Sequence, residues 1–180
     1  QLEANLLINC CGLASFGPAL SLSEADENAL WQVNYQAPIR LMKKVAERNR
    51  KIRFVQLSSL AALCPHPYLV AYSASKAALQ TYCLALQEEL HLKGSEVTVC
   101  LYVLGPVRTA IFPQELQDAL GGAKLQMSPE IASRRILRLL HQGRSYAIVG
   151  KRYRLLAWLM KLLPQRWIIR LIGAYLRKGL

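Results

Sequence analysis

The stretch that decides the fold runs from Ile52 to Val103. Ile52–Ser59 reads IRFVQLSS, Ala71–Leu92 reads AYSASKAALQTYCLALQEELHL, and Val97–Val103 reads VTVCLYV. The first and last are short apolar runs carrying Val, Ile, Phe and Tyr, which predicts strands. The middle segment is rich in Ala, Leu, Gln and Glu, all strong helix formers. Gly94 comes after it as a helix stop, and a loop with Pro65 and Pro67 precedes it. A strand, a long helix and a second strand in succession predict parallel pairing through a right-handed crossover. The unbroken apolar run VTVCLYV suits a sheet covered on both faces.

The same alternation extends in both directions. Leu6–Asn9 is a short apolar run, and Gly12 to Pro18 reads as a loop from its Gly, Ser and Pro. Ser23, with Asp26 three residues later, marks a helix start. That helix is expected from Glu24 to about Arg48, with a kink risk at Pro38. Ser128-Pro129-Glu130 opens another helix, with Ser as N-cap and Pro in the first turn. Tyr146–Val149 reads as a fourth strand. The order β-α-β-α-β-α-β predicts an α/β, doubly wound parallel sheet over residues 1–150, with a helical tail over 151–180. A dinucleotide-binding sheet of this kind opens with a glycine-rich turn after its first strand. None is present, so the sequence reads as beginning in mid-fold, near the fourth strand.

Composition narrows the class. With 53% hydrophobic and 19% charged residues in 180, the chain has ample material for a core. Up to Glu130 basic and acidic residues balance at 11 each, whereas beyond it lie 12 basic residues and no acidic one. The net charge of +12 therefore belongs to the last 50 residues, which points to an anionic partner there. Cys10, Cys11, Cys64, Cys83 and Cys100 form no CxxC and no Cys/His spacing suited to zinc, so no metal is expected. Their odd number argues for a reducing compartment, hence the cytoplasm. Cys10, Cys11 and Cys100 fall in apolar runs and are expected to be buried. His66, His91 and His141 are scattered and read as surface or loop residues.

The chemistry is concentrated in Ser59–Lys76, SLAALCPHPYLVAYSASK. Tyr72 and Lys76 stand at i and i+4 of the predicted helix and share a face. An ammonium beside a phenol favours the phenolate, which lowers a pKa that is otherwise about 10. Ser59 ends a strand 13 residues before Tyr72, where its hydroxyl would hold a substrate oxygen against the phenol. Ser58 is the competing hydroxyl, and the spacing favours Ser59.

The run YSASK, with a serine 13 residues upstream of its tyrosine, resembles the YxxxK motif and Ser–Tyr separation of the short-chain dehydrogenase/reductase family. Further matches lie in order. Asn9-Cys10-Cys11-Gly12 is similar to the family's NNAG. Asn34 in WQVNYQAP is similar to the helix Asn that completes its catalytic tetrad. Gly105-Pro106-Val107-Arg108-Thr109 is similar to the PGxxxT segment along the nicotinamide. The resemblance implies a Rossmann-like fold and NAD or NADP as cofactor. It implies Tyr72 as general acid or base, Ser59 as the substrate-orienting hydroxyl, and Lys76 as the group that lowers the Tyr72 pKa and binds the nicotinamide ribose. Asn34 would hold a water linking Lys76 to solvent. Asn9 and Gly12 would line the cofactor near its adenosine ribose. Gly105, Pro106, Val107 and Thr109 would contact its nicotinamide end, where Tyr72 and Lys76 also meet it. A homodimer or homotetramer formed through helices 24–48 and 71–92 is implied as well.

The departures carry their own expectations. Cys10 and Cys11 replace Asn and Ala, and Leu104 replaces the Pro before Gly105, which loosens that loop. The first strands and the TGxxxGxG turn are absent, so this chain by itself is expected to bind a dinucleotide poorly and to be inactive.

Residues 151–180, KRYRLLAWLMKLLPQRWIIRLIGAYLRKGL, hold eight basic residues and no acidic one. Pro164 splits them into two helices. The longest uncharged apolar runs are six residues, far short of the roughly 20 that span a bilayer. Basic residues, Trp and a broad apolar face suggest a helix lying in a membrane interface. The alternative is that these helices cover a substrate pocket or form a subunit contact. Nucleic acid does not fit so large an apolar face. The expected function is hydride transfer between NAD(P)(H) and a lipophilic alcohol or ketone of steroid, retinoid or fatty-acyl type. The alternative is a catalytically silent, membrane-associated scaffold or binding protein on a truncated dehydrogenase fold.

Overall fold

The computed structural model describes residues 5–48, 51–119 and 126–180. Strands β1 (Leu6–Asn9), β2 (Arg53–Ser59), β3 (Thr98–Leu104) and β4 (Tyr146–Val149) form one parallel sheet in that order. The strands fall within a residue of where the hydrophobic runs place them. Register arises from the period-2 alternation of side chains. Phe54, Val99 and Leu101 face one side and pack with Ile52, Leu79 and Met42, whereas Val55, Cys100 and Tyr102 face the other with Ile136 and Val149. Both faces are thus apolar, as a doubly wound parallel sheet requires.

The first face is covered by two long helical rods. One runs from Glu24 to Arg48 as α1 (Glu24–Trp31), a π turn (Gln32–Gln36) and α2 (Ala37–Arg48). Ser23 caps it by accepting a hydrogen bond from the Asp26 amide. Pro38 does not break the rod. It lacks an N–H to donate to the Asn34 carbonyl, and the chain widens just before it, with the Ala37 N–H reaching back five residues to the Gln32 carbonyl. The other rod is α3 (Val70–Leu92), which buries Leu79 and Cys83 against the sheet. Burial pushes the Cys83 thiol up to about 12, so it stays a neutral core group.

On the second face lies α5 (Pro129–His141), capped by Ser128, with Ala132, Ile136 and Leu140 inward. A short helix not foreseen from the sequence, α4 (Gln114–Ala119), comes between β3 and α5. Its sequence QELQDA has no apolar period to announce it. Gly150 then turns β4 directly into the tail at φ +106, a conformation that strains any other residue. The tail is two helices, α6 (Lys151–Leu162) and α7 (Gln165–Leu176), with Pro164 between them, as its position predicts. No helix among the described residues is long and apolar enough to cross a membrane.

Two expectations need correction. Cys100 is buried, but Cys10 and Cys11 are exposed, because β1 ends at Asn9 and they lie in the loop beyond the sheet. The loop after β3 is not slack either. The strand continues through Leu104, which sits in register with Ser59 and Val149. Beyond it, backbone bonds from the Met127 N–H to Pro106 O (2.9 Å) and from the Arg108 N–H to Met127 O (2.9 Å) hold residues 106–108 in place.

Candidate active site

All four strands run the same way, so their C-terminal ends open on one edge of the sheet, where such folds place their ligands. A cavity of about 640 Å³ lies there. Gly12, Ser59, Tyr72, Lys76, Gly105, Pro106, Val107 and Thr109 all line it, so eight of the ten residues selected from the sequence converge on one space. Asn9 and Asn34 stand behind its walls. The Asn9 amide donates to Gln56 Oε1 (2.9 Å) and its oxygen accepts from the Cys11 N–H (3.1 Å), which shapes the loop carrying Gly12.

Asn34, fully buried in the π turn, clasps two segments. Its Nδ2 donates to the Leu13 carbonyl (2.8 Å) and to Ser75 Oγ (3.1 Å), while its Oδ1 accepts from the Leu13 N–H (2.8 Å). Ser75 in turn donates to the Tyr72 carbonyl (2.8 Å). A continuous set of bonds thus ties the β1 loop, the first rod and the helical turn carrying Tyr72.

Tyr72 is buried, with Phe112 edge-on at 5.5 Å between ring centroids. Burial pushes its phenol above the ordinary value, and a hydrogen bond with Ser59 opposes that. From the sequence, the positive charges of Lys76 and of an oxidised nicotinamide ring were the influences in view. In the folded site, removal from water is the largest influence, so the resting phenol keeps its proton. The Lys76 ammonium lies 5.9 Å from the Tyr72 ring centroid and donates to the Leu57 carbonyl (3.4 Å). Its burial lowers it from an ordinary 10.5 to about 8. Ser59 Oγ accepts from the Ala61 N–H (3.2 Å) and keeps its own proton to give. Ser58, which also lines the cavity, donates its hydroxyl to Gln80 Oε1 (3.2 Å).

Lys76 supplies a stability prediction. Below pH 8 it is charged in both states, and the folded protein bears the full penalty of burying the charge. Between pH 8 and 10.5 the unfolded chain binds more protons, so stability rises with pH. Lys76→Met is therefore more stable than the parent at neutral pH, and the difference shrinks across that window. Denaturant midpoints measured against pH check this, and a constant difference would refute it.

Several contributors had no signal in the sequence. Phe112 and His66 line the cavity. The His66 Nδ1 lies 2.7 Å from the Cys64 carbonyl, and burial pulls its imidazole down. Tyr153 of α6 lies on Gly105, where a Cβ would fall 2.5 Å from its Cδ1, and its hydroxyl donates to the Pro106 carbonyl (3.2 Å). Leu156, Leu159, Met160 and Leu163 of the tail, with Ile168 and Leu171, form the outer wall. The tail therefore does cover the cavity, as one of the two expectations held. Among the described residues no group of three or more His, Cys, Asp or Glu is arranged to hold a metal ion.

Comparison with known proteins agrees with this arrangement. Residues 3–119 match the family described as short chain dehydrogenase. The chain is 27% identical over 188 residues to a probable short-chain type dehydrogenase/reductase of Helicobacter pylori, covering 92% of this chain and 69% of that one. It is 38% identical over 103 residues to 17-beta-hydroxysteroid dehydrogenase type 3 of Mus musculus, covering 54% and 34%. A short-chain dehydrogenase of Burkholderia cenocepacia solved with NADP superposes with a TM-score of 0.74 over 94% of this chain and 69% of that one, at 23% identity. The chain spans 34 to 43% of the length of five of its curated relatives. On the family match and the shared fold, the chain belongs to the short-chain dehydrogenase family.

Proposed function

We propose that this chain is the catalytic part of an oxidoreductase that interconverts a lipophilic alcohol and its ketone, of steroid, retinoid or fatty-acyl type, with NAD or NADP. The observation that carries the reading is the set Ser59, Tyr72 and Lys76 in one cavity whose remaining wall is mostly apolar. The mouse relative, named for a hydroxysteroid, supports the substrate class. The protein would work peripherally at a membrane through residues 151–180, in a reducing compartment.

The residues present suit a nicotinamide ring and its ribose. Gly12 leaves the space beside Lys76 open, since a Cβ there would stand 3.4 Å from Lys76 Nζ and 3.5 Å from Asn34 Oδ1. Lys76 would hold the nicotinamide ribose, Asn9 and Gly12 would lie toward the adenosine ribose, and Gly105, Pro106, Val107 and Thr109 would meet the ring side. A bound nicotinamide supplies the hydride in reduction and accepts it in oxidation. In reduction, Ser59 donates a hydrogen bond to the substrate carbonyl and fixes it beside the phenol. Tyr72 passes its proton to the same oxygen as the alcohol forms. The Lys76 ammonium then stabilises the phenolate left behind. Asn34 Oδ1, with a lone pair beyond the Leu13 bond, would hold a water that returns a proton from solvent through Lys76. Oxidation runs the same path backwards.

The test is oxidation of NADH or NADPH by the protein containing this chain, offered a long-chain ketone and its short-chain counterpart. Turnover is expected with the long-chain ketone and Ser59→Ala is expected to lower it about 10²-fold, the usual loss for one donor to a reacting oxygen. Ser58→Ala, whose hydroxyl serves Gln80, has the smaller effect. Equal losses, or a preference for the short ketone, would overturn the assignment.

A further inference from the structure

The tail also bears large apolar side chains on its outer surface that nothing in the described chain covers. Trp158 is 56% exposed, Leu162 61%, Trp167 65% and Leu171 64%, with Leu155 and Leu163 beside them in the sequence. Single exposed apolar residues are ordinary, but two indoles and several leucines on consecutive helices mark a surface that meets something apolar. The same helices carry Lys151, Arg152, Arg154, Lys161, Arg166 and Arg170, all exposed, and no acidic residue lies beyond Glu130. A protein partner of mixed charge gains little from this arrangement, whereas an anionic lipid surface meets both its charge and its grease. Each helix has 12 residues, about 18 Å at 1.5 Å per residue, against a hydrocarbon core of about 30 Å. They are the right length to lie in the interface.

Leu156, Leu159, Leu163 and Leu171 line the cavity and are also exposed on the outside. The wall of the cavity and the outer apolar face are therefore made of the same side chains, and these form a lip between the two.

We propose that α6 and α7 seat on an anionic bilayer and that the substrate passes from the bilayer into the cavity across the Leu159–Leu163–Leu171 lip, without crossing water. The seating half takes up the peripheral membrane role of residues 151–180 proposed above, and the loading half rests on the lipophilic-substrate reading.

The experiment uses the protein containing this chain with vesicles of phosphatidylcholine, alone or mixed with phosphatidylglycerol. Co-sedimentation with the mixed vesicles is expected, with a blue shift of indole emission. Arg166→Glu with Arg170→Glu, both at exposed positions, is expected to lower the partition at least about 30-fold, from about 1 kcal/mol per charge near an anionic surface. Absence of vesicle binding overturns the seating, as does self-association that Trp158→Ser with Trp167→Ser abolishes. For loading, a pyrene-labelled long-chain ketone is placed in the vesicles and its transfer to the cavity is read as pyrene emission that stays with the protein once the vesicles are removed. Transfer that a water-phase cyclodextrin trap does not slow supports the lip route, and transfer that the trap intercepts overturns it. A ketone that arrives but is not reduced by NADH or NADPH sinks the catalytic reading alone.

Discussion

Tyr72→Phe is expected to lower turnover by about 10²–10⁴-fold, the usual contribution of a positioned proton donor. The substitution removes one oxygen from a ring packed edge-on against Phe112, so the aromatic contact survives and the fold with it. What disappears is the proton that reaches the substrate oxygen, together with the bond to Ser59 that opposes the effect of burial on the phenol. Most of the groups that would hold substrate and cofactor are untouched, and binding is expected to persist. The loss falls on kcat, and single-turnover measurements with bound cofactor are the check. Retained turnover would move proton transfer to another group. His66, which lines the same cavity and is held by the Cys64 carbonyl, would be the one to examine.

Gly105→Ala is expected to destabilise the fold by about 1–3 kcal/mol, the range for overpacking a well-filled site. The added methyl would stand 2.5 Å from Tyr153 Cδ1. The ring cannot simply swing away, because its hydroxyl is bonded to the Pro106 carbonyl and the helix bearing it begins two residues earlier. Either α6 lifts or the loop after β3 moves, and both form walls of the cavity. Tyr153→Ala opens that space, so the double variant is expected to lose less than the sum of the single losses. Denaturant unfolding of the four proteins gives the coupling directly. Additive losses would mean that the ring does not hold the loop.

The sequence carried those parts of the molecule that depend on local pattern. The strand runs and the 23-residue helix α3 were legible because their apolar periods and end signals are intact. Ser59, Tyr72 and Lys76 were legible because a helical turn and a strand end fix their spacing. The parts that were not legible depend on contacts between distant segments. Tyr153 is 48 residues from Gly105, and nothing local says that a tail helix will lie on that loop. The end of β1 at Asn9 was legible, but the exposure of Cys10 and Cys11 was not, because their apolar neighbours do not show that nothing in the described chain packs over the loop beyond the sheet. The raised phenol of Tyr72 escaped the sequence for a related reason. Its charge neighbour is written four residues along the chain, but its burial is supplied by Phe112 and the tail.

The π turn in the first rod has a geometrical consequence. Leu30, Asn34, Pro38 and Met42 are all buried, each four residues after the last. In a regular α-helix such a series advances about 40° per step and winds through about 120° over three steps. One additional residue in the winding takes back about 100° of that. The four side chains therefore keep to a nearly straight row, and the polar member of the row reaches Leu13 and Ser75 from between apolar neighbours. The row is thus set by a residue count: winding the same residues as a regular helix would turn Pro38 and Met42 about 80° and 120° out of line with Leu30, whereas removing one residue between Gln32 and Gln36 would restore the regular helix and leave them in line.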